Sequence, residues 1–142
     1  MKTILIEISF GELLDKISIL EIKKERIKDP SKLKFINNDL DLLKIQLHKV
    51  AEPSSFKSGN KLFELFLSLK EINQKLWVVE DDKRLCEKNS DFGEKFIKIS
   101  RDVHFLNDKR AKIKLEINNL TGSEINELLG SNIKEVKQYV DY

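Results

Sequence analysis

Apolar residues recur at steps of three and four along four long stretches of this chain, the spacing that gathers them on one face of an α-helix. Phe10, Leu13, Ile17, Leu20 and Ile27, widened by Leu14, form the first stripe and predict a helix over about 10–28. Ser9, with Glu12 three residues on, has the form of a capping box at its start. Asp29-Pro30 closes it, because the residue before a proline is pushed out of the α region. Leu33, Ile36, Leu40, Leu43, Leu47 and Val50 predict a second helix over about 32–50, with Ser31 as its cap. The stretch from Glu52 to Asn60, holding Pro53, three serines and Gly59, is the clearest loop in the chain.

A third stripe, Leu62, Leu65, Leu69, Ile72, Leu76 and Val79 with Cys86 beyond, predicts a helix over about 61–89. Asn89-Ser90 breaks the pattern, and Asp91 or Ser90 caps a fourth helix over about 92–120. Its stripe is Phe96, Ile99, Val103, Leu106, Arg110, Ile113, Ile117 and Leu120, and Gly122 is suited to a left-handed end. Short helices are expected over 123–142, and residues 1–9 read as an N-terminal arm. At ~1.5 Å rise per residue the third and fourth helices are each roughly 45 Å long, and a short turn between them makes a hairpin. The expected fold is all-α, one domain spanning 1–142: an antiparallel helical bundle built around a hairpin of about 61–120, its apolar face covered by the first two helices. Phe63, Phe66 and Val78 lie off the main stripe and suggest a second apolar face, hence a homodimer.

Composition narrows the class. Twenty-six Lys and Arg against 24 Asp and Glu leave a net charge of +2, so no large positive field exists to attract nucleic acid. The basic run from Asp108 to Lys114 spreads its charge around the helix, without helix-turn-helix, zinc-finger or phosphate-loop signals, and nucleic acid is not an expected partner. Cys86 is the only cysteine, which excludes an intramolecular disulfide and reads as a small core residue. Glu7 interrupts the apolar opening, which is too short for a membrane span and lacks a cleavage site, so a cytoplasmic protein is expected, with no membrane partner. No metal-ligand spacing is present, and no metal or cofactor is expected.

Candidate chemistry starts from a misfit. Arg110 fills a slot where a bundle wants Leu or Ile. Either it snorkels, laying its stem on apolar surface, or it enters a polar cleft and holds a carboxylate or phosphate through its planar fork. If it snorkels, replacement by Met should be neutral or mildly stabilising. Asn107, Lys114 and Asn118 share its face. The neighbouring face carries Arg101, His104 and Asp108, where His104 and Asp108 read as a solvated local pair. On the third helix Asn73, Trp77, Glu80, Asp81 and Arg84 share a broad face, with Glu80 and Arg84 spaced for an ion pair. Glu12 on the first helix is accounted for by capping, and Asp15, Lys16, Ser18 and Lys23 read as surface polarity.

The blocks ISFGELLDKISILEIKKERI, NQKLWVVEDDKR and RDVHFLNDKRAKIKLEINNLTGS together resemble a family of short helical proteins of bacteria and their phages, a domain of unknown function. The resemblance covers nearly the whole chain and implies a helical fold but no activity or catalytic residue. In that family the last block is followed quickly by Glu, Lys and Tyr; here Glu135, Lys137 and Tyr139 come at a longer spacing. His104 stands where related chains often carry tyrosine, which argues against a shared catalytic role. The neighbourhood of sugar-transfer and surface-polysaccharide genes around some relatives implies a phosphorylated or nucleotide-linked ligand.

Three functions compete. The leading one is binding of a small anionic metabolite: Arg84, Arg110 and Lys114 hold the charge, Asn73, Asn107 and Asn118 orient it, and Glu80 and Trp77 complete the pocket. The second is a structural or protein-partner-binding module. The third is a small helical lyase, isomerase or hydrolase using Glu80, Asp81 or Glu12, for which the sequence selects no reaction.

Overall fold

The computed structural model describes residues 3–125. Four α-helices and one 3₁₀ turn make up its regular structure: α1 (Phe10–Arg26), α2 (Pro30–Val50), the turn Pro53–Phe56, α3 (Lys61–Lys88) and α4 (Glu94–Thr121). Among the described residues there is no strand. The antiparallel bundle built around the α3–α4 hairpin is as expected. The short helices anticipated over 123–142 are not seen in Ser123–Ile125, which carry no helix, and otherwise lie outside the described residues, as do Glu135, Lys137 and Tyr139.

Capping explains where the helices stop and start. The Ser9 side chain accepts from the Glu12 N–H at 3.0 Å, as the capping pattern requires. The α2 cap, however, is Asp29 and not Ser31. Pro30 occupies the first helical position, where its missing N–H costs nothing, and the Asp29 carboxylate accepts from the Ser31 N–H (2.9 Å) and hydroxyl (2.7 Å). These two bonds also hold the Asp29 carboxyl below its ordinary pKa. The fourth helix likewise starts later than the Asp91 and Ser90 signals suggest, with Gly93 at its cap. Asp91 instead donates its N–H to the Cys86 carbonyl at 2.8 Å, closing the end of α3 over Ser90, whose φ is +52°. Gly122 adopts the left-handed conformation (φ 65°) that ends α4.

The main departure from expectation is the place of α1. It is not half of a cover: it packs against α2, α3 and α4 together. One side, Leu13, Leu14 and Ile17, enters a core shared with Leu40 and Leu47 of α2, Leu62, Leu65, Phe66 and Leu69 of α3, and Ile117 of α4. The other side, Gly11, Asp15, Ser18 and Ile22, is buried as well. Phe66, expected on a second apolar face, is therefore a core residue, held edge-to-face against Phe56. Val50 and Leu120, read as ends of their stripes, are exposed. An ion-pair chain ties the outer sides of three helices, with Glu21 reaching Lys44 (3.3 Å) and Lys70 (3.1 Å), and Lys70 reaching Glu25 (2.8 Å). Burial opposes the Lys70 charge, but hydrogen bonds to Glu25 and Glu21 outweigh it and raise the Lys70 pKa.

Gly11 sets how closely α1 approaches α4. Its N–H donates to the Asn118 side-chain oxygen at 2.7 Å, and a Cβ here would stand 2.6 Å from the Lys114 carbonyl oxygen. The neighbour in the way is backbone, which cannot turn aside as a side-chain tip would. Gly11→Ala should therefore cost about 1–3 kcal/mol in urea denaturation despite alanine's better helix propensity; an unchanged or higher midpoint would show that the two helices can separate freely.

Candidate functional site

A buried carboxylate organises the polar residues. Asp15 is 1% exposed, in the middle of the inner stripe of α1. Arg110 of α4 grips it with both sides of its fork: Nε donates to Oδ1 at 3.0 Å and Nη2 to Oδ2. Asn73 of α3 donates one amide N–H to Asp15 Oδ1 (2.8 Å) and the other to the Ser18 hydroxyl (2.7 Å). Ser18 in turn donates to the Asp15 carbonyl at 2.8 Å. Lys114 Nζ lies 3.8 Å from Asp15 and forms a closer pair with Glu12, which also reaches Lys16 at 3.5 Å.

Arg110 thus does not snorkel but holds a carboxylate through its planar fork, the second of the two expectations. Its partner is internal, and the hydrogen bonds it donates to Asp15 raise its pKa against the opposing effect of burial. The expectation that Arg110→Met is neutral or stabilising falls with this pairing, since the substitution leaves a buried carboxylate without its main cation. Asp15 and Ser18, read from the sequence as surface polarity, are buried because α1 is covered on both sides. One signal could have exposed them. Small or polar residues at 11, 15 and 18 recur with the four-then-three step of a packed face, and Gly11 on such a face marks close helix approach.

An open cleft of about 290 Å³ lies beside this network, lined by Ile19 and Ile22 of α1, Leu76 of α3, and the polar residues Asn73, Trp77, Glu80, Asp81, Arg84, Asn107 and Arg110. The structure therefore brings six of the eight candidate residues to one cleft. It does not bring Lys114 and Asn118 there: Lys114 is taken by Glu12, and Asn118 by the Gly11 N–H. The cleft exists because α1, at 17 residues, is too short to cover two helices of 28 residues each.

Two kinds of charge meet in this cleft. Arg110 is neutralised by Asp15, and its remaining Nη1 contacts Asn107 Oδ1 at a long 3.5 Å. Glu80, Asp81 and Arg84 have no side-chain partner among the described residues; Glu80 and Arg84 do not form the expected pair. Trp77 is half-buried, and the Arg26 guanidinium stands 5.9 Å from its ring centroid. Glu12, the other carboxylate considered for chemistry, is tied up outside the cleft. His104 and Asp108 are 3.6 Å apart and largely exposed, a solvated local pair. Among the described residues no group of three or more His, Cys, Asp or Glu is placed to hold a metal ion, and no helix is long and apolar enough to cross a membrane.

The chain belongs to a family of unknown function, DUF6165, whose model matches residues 4–138. No curated protein and no solved structure matches it.

If Asp15 and Arg110 act as one unit, Arg110→Met alone should cost about 3–5 kcal/mol, the usual penalty for stranding a buried charge. The double variant Asp15→Leu/Arg110→Met should recover much of that loss. Urea titrations of the four proteins form the double-mutant cycle, and additive losses would mean that the two side chains act apart.

Proposed function

Because its family is one of unknown function, the chain has to be read from its own geometry, and we propose that the cleft between α1, α3 and α4 binds a small anionic metabolite. The observation that carries this reading is Arg84. It is a guanidinium without a partner among the described residues, at the lip of a cleft whose other arginine is already neutralised. An anion entering here meets Arg84 as its cation, the outer Nη1 edge of Arg110 as a fixed donor, and the Asn107 amide beside it. Trp77, Ile19, Ile22 and Leu76 supply an apolar wall for the ligand's carbon skeleton. A volume of about 290 Å³ stands at the low end of small-molecule sites, which favours a ligand the size of a sugar phosphate over a whole nucleotide sugar.

Thermal-shift screening against phosphates, sugar phosphates, nucleotides and dicarboxylates tests this. Sugar-sized phosphates should raise the melting temperature of the wild type. Arg84→Met, which breaks no hydrogen bond or ion pair among the described residues, should fold normally and bind roughly 10-fold more weakly, about 1.4 kcal/mol. Equal shifts in both proteins would remove Arg84 as the anchor.

A second reading, a partner-binding module that pairs with its own copy, is favoured by one observation on α2. This helix packs chiefly on α1 and presents Phe35, Leu42 and Ile45 to solvent at 71%, 53% and 52% exposure. Their spacing of seven and three places them on one outward stripe. Sedimentation velocity at micromolar concentration should then give a dimer that Phe35→Glu/Ile45→Glu converts to monomer. A monomeric wild type removes self-association.

A further inference from the structure

The cleft holds more acceptors than an anion can use. Set aside Arg110, which Asp15 neutralises, and the ionised lining groups are two carboxylates, Glu80 and Asp81, against one guanidinium, Arg84. A ligand that brought only negative charge would meet Arg84 and, beside it, two carboxylates that repel it. That arrangement costs affinity unless something on the ligand answers them.

Asn73 points the same way by an independent route. It is 5% exposed and lines the cleft. Both its amide protons are spent, one on Asp15 Oδ1 and one on the Ser18 hydroxyl. Ser18 has its own proton committed to the Asp15 carbonyl, so it can only accept from Asn73. These bonds fix which way round the amide lies. Its nitrogen is turned to α1, and its carbonyl oxygen is left with no partner among the described residues. That oxygen is not one of the enclosed side-chain atoms left without a partner, so it is open to the cleft that Asn73 lines. Asn73 is therefore a pre-oriented acceptor, held in place by the same network that holds Asp15.

The four positions that carry these groups on α3 follow one another at helical steps: Asn73, Trp77, Glu80 and Arg84. Along one face they present a fixed acceptor, a flat apolar wall, an ionised acceptor and a cation. Asp81 adds a second carboxylate at the rim. A simple anion complements only the last position on that face. A molecule with a protonated amine as well as an anionic group complements all of it.

We infer that the ligand of this cleft is zwitterionic, a small amine-bearing phosphate or carboxylate whose ammonium donates to Asn73 Oδ1, with Glu80 and Asp81 supplying the neutralising negative charge, while its anionic group is held by Arg84. The inference rests on the proposed anion-binding function and adds the ligand's second charge. Residues 73 and 80 are separated by about 10 Å of helix at ~1.5 Å rise per residue, so the ammonium's hydrogen bond goes to the amide oxygen and the two carboxylates act on it through their charge. Discrimination follows from the same geometry: an analogue lacking the amine leaves the Asn73 oxygen unanswered and the carboxylates unneutralised.

Isothermal titration of the full chain with matched probes tests the inference separately from the reading beneath it. The pairs are phosphoethanolamine with ethyl phosphate, and glucosamine phosphate with glucose phosphate; ethanolamine serves as the amine alone. The amine-bearing member of each pair should bind roughly 10- to 100-fold tighter, the range of one or two charge-assisted hydrogen bonds. In Glu80→Gln/Asp81→Asn, whose side chains have no hydrogen-bond or ion-pair partner among the described residues to lose, that gap should close without weakening ethyl phosphate. Equal binding within each pair, lost in Arg84→Met, would overturn the zwitterion and keep the anion site. Ethanolamine binding as tightly as phosphoethanolamine, with no effect of Arg84→Met, would overturn the anion site. Failure of every probe to bind would overturn both.

Discussion

The arrangement of the helices turns on one carboxylate. Asp15 sits in the most enclosed helix of the bundle, where an uncompensated charge would cost several kcal/mol. Its compensation comes from two other helices at once: a two-pronged guanidinium from α4 and an amide from α3. Those contacts are directional as well as strong. A planar fork meets a carboxylate in only a narrow range of orientations, so the Asp15–Arg110 pair constrains the register of α1 against α4 in a way that interchangeable Leu and Ile contacts cannot. Gly11 and Asn118 add a second constraint about one turn away, where the α1 backbone lies almost against that of α4.

The polar network and the apolar core thus divide the work along the two sides of α1. Leu13, Leu14 and Ile17 join the main core and supply the non-directional part of the stability. Gly11, Asp15 and Ser18 face the other way and supply the specificity of packing. A purely apolar inner stripe would have bound the hairpin as tightly, with less to choose one helix register over its neighbours.

The same constraint shapes the cleft. Because Arg110 and Asn73 are both anchored on Asp15, the groups they turn toward the cleft, one guanidinium edge and one amide oxygen, are held in place by the fold itself. Rigid polar groups on helices lose little entropy on binding, which under the proposed function lets a small site discriminate. Glu80, Asp81 and Arg84, by contrast, stand beyond the network and carry charges nothing inside the described chain satisfies. The cleft thus combines inner groups fixed by the network with outer charges that have no side-chain partner among the described residues, walled by Trp77.

Much of this protein is determined by local sequence alone. The α-helix is maintained by bonds between residues four apart, so the three-and-four spacing from Leu62 to Leu76 and from Phe96 to Ile117, the Ser9 cap and the Gly122 terminus are all legible without knowing what packs on what. Arg110 was legible as an anomaly for the same reason, as a charge within an otherwise apolar stripe. Its partner was not. Asp15 lies 95 residues away on a face whose Gly, Asp and Ser read equally well as solvent-exposed, and only the packing of α1 between the hairpin and α2 buries that face. The cap of α2 went to Asp29 because Pro30 could begin the helix, a local choice between two adequate signals. The identity of the cleft residues was visible in part as two polar faces, on α3 and α4. That Lys114 and Asn118 leave the cleft to serve α1, while Glu80 and Arg84 find no partner among the described residues, was decided by tertiary structure: helical periodicity assigns a side chain to a face, but the angle and depth at which two helices meet determine which charges on that face find each other.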